Sequence, residues 1–221
     1  MVRHQVEFVK PLVFHRHPVN VDTWVTAVED DEVTLAQEVY DGPADGEAQR
    51  TTYLRATTVL SHRLSDAERA LTDQPGGPAH DWRPVSANAR AVGDVMPLTT
   101  RRADVDEFEQ ARSGVFFEYF QEARLRYLMN LHTRGERWSQ HVIARTDIDY
   151  VAPLAYRQKP YAVHSWVSHL GSRSFTISSE VRDGDRLLAR AVVVLVCFDP
   201  ETQRTTSMAE HQRARLEREL S

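Results

Sequence analysis

Two acids, Asp104 and Asp106, stand a few residues ahead of a stretch that reads as a helix from about Ser113. That spacing suits chemistry at a carbonyl group. The first amides of a helix are unpaired and sit at the positive end of its dipole, so they can polarise a carbonyl oxygen. A carboxylate just ahead of that end can attack the carbonyl carbon or activate a water beside it. Ser113, Gly114 and Val115 would present the amides. Gln110, in the intervening loop, could orient the water or donate to the oxygen, but it cannot move a proton at neutral pH. The competing account of Asp106 is a loop acid that caps the helix or pairs with Arg101, Arg102 or Arg112. Glu122 lies four residues after Glu118 and four before Arg126, which suits an ion-pair ladder on a helix surface.

Other constellations carry less. His15 and His17 flank Arg16 ahead of Pro18 with no nearby acid or cysteine, so no metal is expected there. His132, His141, His164 and His169 have no companion Ser or Cys in a nucleophile motif, and no glycine-rich phosphate loop occurs. No cofactor is called for.

The elements that must position these residues follow from periodicity. Phe116, Phe120, Ala123, Tyr127 and Leu131 fall on one stripe, flanked by Phe117, Arg124 and Leu128, which predicts a helix from Ser113, as N-cap, to about His132. So aromatic a helix needs a large curved sheet to wrap it. Residues 161–170 and 174–183 alternate apolar and polar side chains, and 187–199 form a continuous apolar strand ending in Asp199. "VMPLTT" ahead of the acids reads as one more strand.

The strands have a double. Residues 3–42 superimpose without a gap on residues 145–184, an offset of 142, with Pro11/Pro153, Trp24/Trp166, Glu38/Glu180 and Asp41/Asp183 among the identical pairs. After a loop seven residues longer in the first copy, the match resumes at offset 135 with Arg55/Arg190 and Ala56/Ala191. A period this long implies two copies of one domain. The expected division is 1–72, a partial repeat; 73–94, a linker rich in Pro, Gly and small residues; and 95–221, a complete repeat. Ser65 with Glu68 and Ser207 with Glu210 have capping-box spacing, and the terminal helix reads as solvated over most of its surface. Trp24 and Trp166 are expected to pack under the helix or across a repeat interface.

One strand, a long buried helix and four antiparallel strands define an α+β architecture with the element order of the hotdog fold. "RADVDEFEQARSGVFFEYFQEARLRYL" resembles the opening motif of the 4-hydroxybenzoyl-CoA thioesterase type: Asp-x-Asp, a Gly-His pair, an Asn pair, then an aromatic helix ending Glu-Ala-Arg. The resemblance implies a tandem hotdog acyl-CoA thioesterase whose first repeat lacks its opening strand and helix. It implies Asp106 as nucleophile or general base, with Glu122 as a second candidate because one branch of the family draws its carboxylate from the long helix. Arg145, Arg157, Lys159 and Arg173 become candidate contacts for coenzyme A phosphates, and the aromatic helix, Phe117 included, would line the acyl tunnel. Two departures stand out: Glu109-Gln110 replaces the Gly-His pair, and Arg112-Ser113 replaces the Asn pair. They leave a non-catalytic acyl-thioester-binding or scaffolding protein as the alternative, while a hydratase or dehydratase lacks its Asp/His pair.

Composition sets the remaining bounds. With 41% apolar residues among 221, the chain can bury a real core. A net charge of −5 without a basic block argues against nucleic acid. No run reaches membrane-spanning length, so no membrane insertion is expected. The single cysteine, Cys197, lies in an apolar run and suits a small buried side chain in a reducing cytoplasm. Hotdog units pair, so the expected assembly is a homo-oligomer or an intrachain pseudo-dimer with one motif-bearing site. A first repeat without its helix would expose a concave apolar sheet, to be covered by a second chain, by the linker, or by residues encoded upstream of the recorded start.

Overall fold

A computed structural model describes residues 1–12, 19–29, 31–42, 50–61, 77, 79–80, 93–132 and 137–220. The pair His15/His17, the Ser65/Glu68 cap and most of the 73–94 segment lie outside the described residues. The chain divides into two compact units: residues 1–84 with 144–147, and residues 85–143 with 148–221. Among the described residues no helix is long and apolar enough to cross a membrane.

In the first unit, strands β1 (Arg3–Phe8), β2 (Asn20–Glu29), β3 (Glu32–Asp41) and β4 (Thr51–Ser61) are antiparallel in the order β2-β3-β4-β1. The second unit opens with β5 (Asp94–Leu98), a 3-10 turn (Arg102–Asp104) and α1 (Val115–Leu131). Strands β6 (His141–Tyr150), β7 (Tyr161–Leu170), β8 (Ser174–Asp183), β9 (Arg186–Asp199) and the short β10 (Arg204–Thr205) follow, then α2 (Glu210–Glu219). The strand order is β6-β9-β8-β7-β5, with β10 on the end of β9. Residue Pro97 sits in β5, the edge strand, where a missing ladder donor is tolerated. This is the hotdog fold: an antiparallel sheet around a central helix.

The helix is wrapped along its whole length. Phe116, Tyr119, Phe120 and Ala123 pack with Val163, Val181, Ala189 and Ala191. Tyr127, Leu128 and Leu131 pack with Val167, Ile177, Val193, Leu195 and Cys197. Burial raises the pKa of the Cys197 thiol, which therefore stays an apolar, protonated group.

Two predicted helix starts are corrected. The N-cap of α1 is Gly114, and no side chain caps it. Ala209, rather than Ser207, is the N-cap of α2, and the Oγ of Ser139 accepts the Ala209 amide at 2.9 Å. That helix is also less solvated than its charge suggests: Gln212 and Leu216 are fully buried, because its inner stripe closes the core around Tyr127. The expected ladder through Glu122 does not form either. Arg126 pairs with Asp94 at 3.3 Å, Glu118 with Arg101 at 3.1 Å, and Glu122 is exposed.

The two units share their internal register. The β2–β3 ladder breaks between Val25 and Ala27, and the β7–β8 ladder between Val167 and His169. The Thr26 hydroxyl donates to the Thr34 carbonyl at 3.3 Å, and the Ser168 hydroxyl to the Thr176 carbonyl at 3.4 Å. Second breaks fall at Val39/Tyr40 and Val181/Arg182. Glu38 faces and pairs with Arg55 at 3.4 Å, as Glu180 does with Arg190 at 2.8 Å.

The apolar sheet face of the first unit is open at its β2 edge, where Val21, the equivalent of the fully buried Val163, is 60% exposed, and closed further in. Val6, Ala56 and Thr58, on the face equivalent to the helix-bearing one, are only 4%, 3% and 2% exposed. That face is also partly polar: Thr58 Oγ1 donates to Gln37 Oε1 at 3.0 Å and meets His4 Nδ1 at 2.8 Å. His80, from the linker, lies on the other face, where its ring meets the Trp24 ring edge-on at 5.7 Å and its Nε2 lies 3.2 Å from the Gln37 carbonyl. Strand alternation puts Trp166 on the sheet face opposite Val163 and Val167, away from the helix.

Candidate functional site

The acid loop is knitted before it reaches the helix. The Thr100 hydroxyl donates to the Arg157 carbonyl at 3.2 Å and lies 3.1 Å from the Arg157 amide, which pins the chain after β5. The Ala111 amide donates to the Leu154 carbonyl and the Tyr156 amide to the Glu109 carbonyl, both at 2.8 Å. The loop is therefore one side of a short ladder, held from both ends.

The two acids of the Asp-x-Asp motif do different things. Asp104 is 2% exposed. It accepts the Arg101 amide at 2.8 Å, the Arg101 Nε at 2.9 Å and the Tyr119 hydroxyl at 2.8 Å. Burial works to raise its pKa, but the bonds from Arg101 and Tyr119 outweigh it and hold the carboxyl below the usual carboxylate range. Asp104 is thus the strut that ties the loop to α1. Tyr119 moves the other way: burial and its bond to Asp104 raise its pKa.

Asp106 lies two residues on, half-buried. Its Oδ1 accepts the Phe108 amide at 2.9 Å and the Gln110 amide at 3.0 Å, while its own backbone closes the turn with Glu109 and Gln110. No bond reaches Oδ2 among the described residues. The arginines expected as rivals are engaged elsewhere: Arg101 with Asp104, Arg102 with Glu109 at 2.7 Å, and Arg112 with the Ala103 carbonyl. The turn needs one left-handed residue, and Glu109 supplies it at φ 59°. This is the position where the motif carries glycine, the residue suited to that conformation.

At the start of α1, the amides of Val115, Phe116 and Phe117 fold back onto the carbonyls of Arg112, Ser113 and Gly114 at 3.0, 3.3 and 3.3 Å. The amides of Ser113 and Gly114 have no acceptor among the described residues. Tyr150 buttresses this entry by donating its hydroxyl to the Ser113 carbonyl at 3.1 Å, and burial pushes its pKa up to about 12. A cleft of about 620 Å³ opens here, lined by Arg101, Ala103, Asp104, Arg112, Gly114, Val115 and Glu118. A methyl group added at Gly114 would meet nothing within 4 Å, so the cleft stands open over that residue.

Of the residues expected from sequence, the structure brings Gly114 and Val115 to the cleft and Asp106, Gln110 and Ser113 to the loop that borders it. Phe117 packs at the edge of the helix core. Glu122 lies on the exposed side of α1, two turns from the loop. Arg157 is committed to Asp183 at 2.7 and 2.9 Å and stacks on Tyr161, Lys159 is exposed, and Arg145 is held by Asp147 at 2.7 Å. Sequence reading missed Arg101 and Tyr119 as the partners of Asp104. The spacing of Arg101 three residues before Asp104 was the one available signal. Among the described residues no group of His, Cys, Asp or Glu could hold a metal ion.

An acid loop feeding a helix start inside a hotdog unit defines a thioesterase-like architecture, and comparison with known proteins agrees. The chain belongs to the thioesterase-like superfamily, whose sequence pattern matches residues 100–216. No curated protein sequence matches it. Among solved structures, it is similar to a Lactobacillus plantarum protein provisionally described as an oleoyl thioesterase, at 13% identity and TM-score 0.66, over 90% of this chain and 75% of that one. It also resembles an acyl-ACP thioesterase from Bacteroides thetaiotaomicron, at 14% identity and TM-score 0.54, over 88% and 74% of the two chains. A thioesterase from Thermus thermophilus, complexed with coenzyme A and Zn, matches 57% of this chain and 92% of its own at 23% identity and TM-score 0.50. These likenesses establish the fold.

Proposed function

We propose that this protein hydrolyses acyl-CoA thioesters to the free acid and coenzyme A, with Asp106 as the catalytic carboxylate. The observation that carries the reading is that, among the described residues, Asp106 keeps one oxygen free of bonds in the loop leading to α1, while the Ser113 and Gly114 amides at the helix start have no acceptor and Gly114 lines the cleft. In the general-base route, Asp106 takes a proton from water, the water oxygen adds to the thioester carbon, and the C–S bond breaks as the thiolate takes the proton back. The Ser113 and Gly114 amides donate to the oxygen that gains charge. In the nucleophilic route an Asp106 oxygen adds to the thioester carbon and the C–S bond breaks to release the coenzyme A thiolate, which is protonated by solvent; water then cleaves the mixed anhydride, releasing the acid and restoring the carboxylate. Gln110 orients the water in either case.

The 4-hydroxybenzoyl-CoA type is supported by the motif, and a tandem repeat by the shared strand order, bulges and Glu–Arg pairs of the two units. We take residues 1–72 and 95–221 as those repeats, the first without strand 1 and helix, working in the cytoplasm as an intrachain pseudo-dimer or homo-oligomer.

A panel of acyl-CoAs assayed for free thiol tests the reading. Turnover by the native chain should fall about a hundredfold or more in Asp106→Asn, a variant that keeps the oxygen accepting the Phe108 and Gln110 amides. A second reading, an acyl-thioester-binding protein without turnover, is favoured by the Glu109-Gln110 pair that replaces Gly-His. Saturable acyl-CoA binding with no thiol release by the native chain would select it.

A further inference from the structure

The cleft at the start of α1 holds a charged side chain that the hydrolysis chemistry does not use. Its lining carries two acids, Asp104 and Glu118, and two arginines, Arg101 and Arg112. Both acids turn to Arg101, at 2.8 and 3.1 Å. Arg112 is exposed and makes no ion pair among the described residues. Its Nη2 donates to the Ala103 carbonyl, and the rest of the guanidinium fork keeps its N–H groups for something in the cleft.

The backbone fixes where that fork stands. The Arg112 amide donates to the Asp104 carbonyl, and the Arg112 carbonyl accepts the Val115 amide, both at 3.0 Å. The residue is thus locked between the acid loop and the first turn of α1. It directly precedes Ser113 and Gly114, whose amides are the donors assigned above to the thioester oxygen. The thioesterase motif carries asparagine at this position, so the charge is a departure of this chain.

A cation so near the carbonyl meets only part of a coenzyme A thioester. A volume of 620 Å³, taken as a sphere, is roughly 10 Å across. The pantetheine arm between sulfur and the nearest phosphate is uncharged, and its dozen or so covalent bonds span roughly 15 Å when extended. With the thioester at Gly114 and the arm extended, the phosphates lie beyond the cleft. The anionic group within reach of Arg112 then belongs to the acyl group itself.

We propose, resting on the hydrolysis reading above, that the substrate is a short dicarboxylic half-thioester, whose free carboxylate pairs with Arg112 while its thioester carbonyl meets the Ser113 and Gly114 amides. A carboxylate takes two parallel N–H bonds from a guanidinium, a geometry that a methyl-ended acyl chain forfeits. The second carboxylate binds and orients the substrate and takes no part in the bond changes. Arg112 is in this sense the residue that sets acyl specificity.

Acyl-CoA pairs matched in carbon number test this: malonyl against propionyl, succinyl against butyryl, and glutaryl against valeryl. Each is assayed for thiol release and, in the Asp106→Asn background, for binding by calorimetric titration. The native chain should favour the diacid of at least one pair roughly tenfold in kcat/KM, chiefly through KM, and Arg112→Gln should abolish that preference. Arg112→Lys should keep part of it, and rising salt should weaken it, which carries the comparison if Arg112→Gln does not fold. No preference in either assay, or a loss in Arg112→Gln that is equal for both members of a pair, overturns the proposal and leaves hydrolysis standing. Arg112-dependent binding of the diacid with no thiol release by the native chain upholds the carboxylate site and overturns the hydrolysis reading instead.

Discussion

Removing one hydroxyl should loosen the acid loop from the helix in a pH-dependent way. Tyr119→Phe keeps the ring packed beside Phe116 and deletes only the 2.8 Å bond to Asp104. A hydrogen bond to a buried carboxylate contributes about 1.5–3 kcal/mol. The Arg101 side chain remains on the same carboxylate but is 64% exposed and screened by water, so the lower end, about 1.5 kcal/mol, is the expected loss at neutral pH. Asp104 has a folded pKa below its ordinary 3.8, so its contribution is present above that value and fades as pH falls through the folded one. The gap between wild type and Tyr119→Phe should therefore shrink under acid. Tyr119, whose pKa is raised above 10.0, adds the opposite limb: stability present below pH 10 and lost as pH rises through the folded value. Urea unfolding read by hydrogen exchange of the α1 amides, at neutral pH and again below pH 3.8, measures the acid limb. A gap under about 0.5 kcal/mol at neutral pH, or one that does not narrow in acid, refutes the strut.

Gly114→Ala should stabilise the chain by about 0.4–1 kcal/mol, because Gly114 has an ordinary helical φ of −62° with open space above it. Its methyl group should nevertheless raise KM for acyl-CoA, and a thermal midpoint beside steady-state kinetics checks both. At Glu109, φ 59° favours glycine, so unfolding midpoints should rank Glu109→Gly at or above wild type and Glu109→Val about 1–2 kcal/mol below it. Phe120→Ala empties a site that is 2% exposed at the centre of the helix core and should cost about 3–5 kcal/mol in chemical denaturation.

What sequence made legible was set by short-range physics. Alternation placed β7 and β8 to the residue, because each has one face on the helix and a period of two is unambiguous there. The aromatic stripe located α1 for the same reason. Features settled by distant partners were not legible. The N-cap residue of α2, Ala209, is held by Ser139, 70 residues upstream, so a local Ser-x-x-Glu match misled. Asp104 and Asp106 are two residues apart and chemically alike. The positions of Arg101 and Tyr119 make the first a buried strut, while the second keeps an oxygen free.

The shared register of the two units constrains what each can bury. Bulges at Val25/Ala27 and Val167/His169 turn the same side chains to the same face, so the two sheets offer equivalent positions. The fillings differ at the face that carries α1 in the second unit. There Val193 and Ile177 meet Tyr127 and Leu128. The residue of the first unit equivalent to Val193 is Thr58, whose hydroxyl is bonded to both Gln37 and His4. A buried hydroxyl is tolerated only when it is paired, and a sheet with its own hydrogen-bonded trio does not need an aromatic helix to satisfy that patch. In the second unit the acid loop leads directly into the aromatic helix, and the hydrolysis proposed above would take place at the end of that unit where, among the described residues, the Ser113 and Gly114 amides have no acceptor.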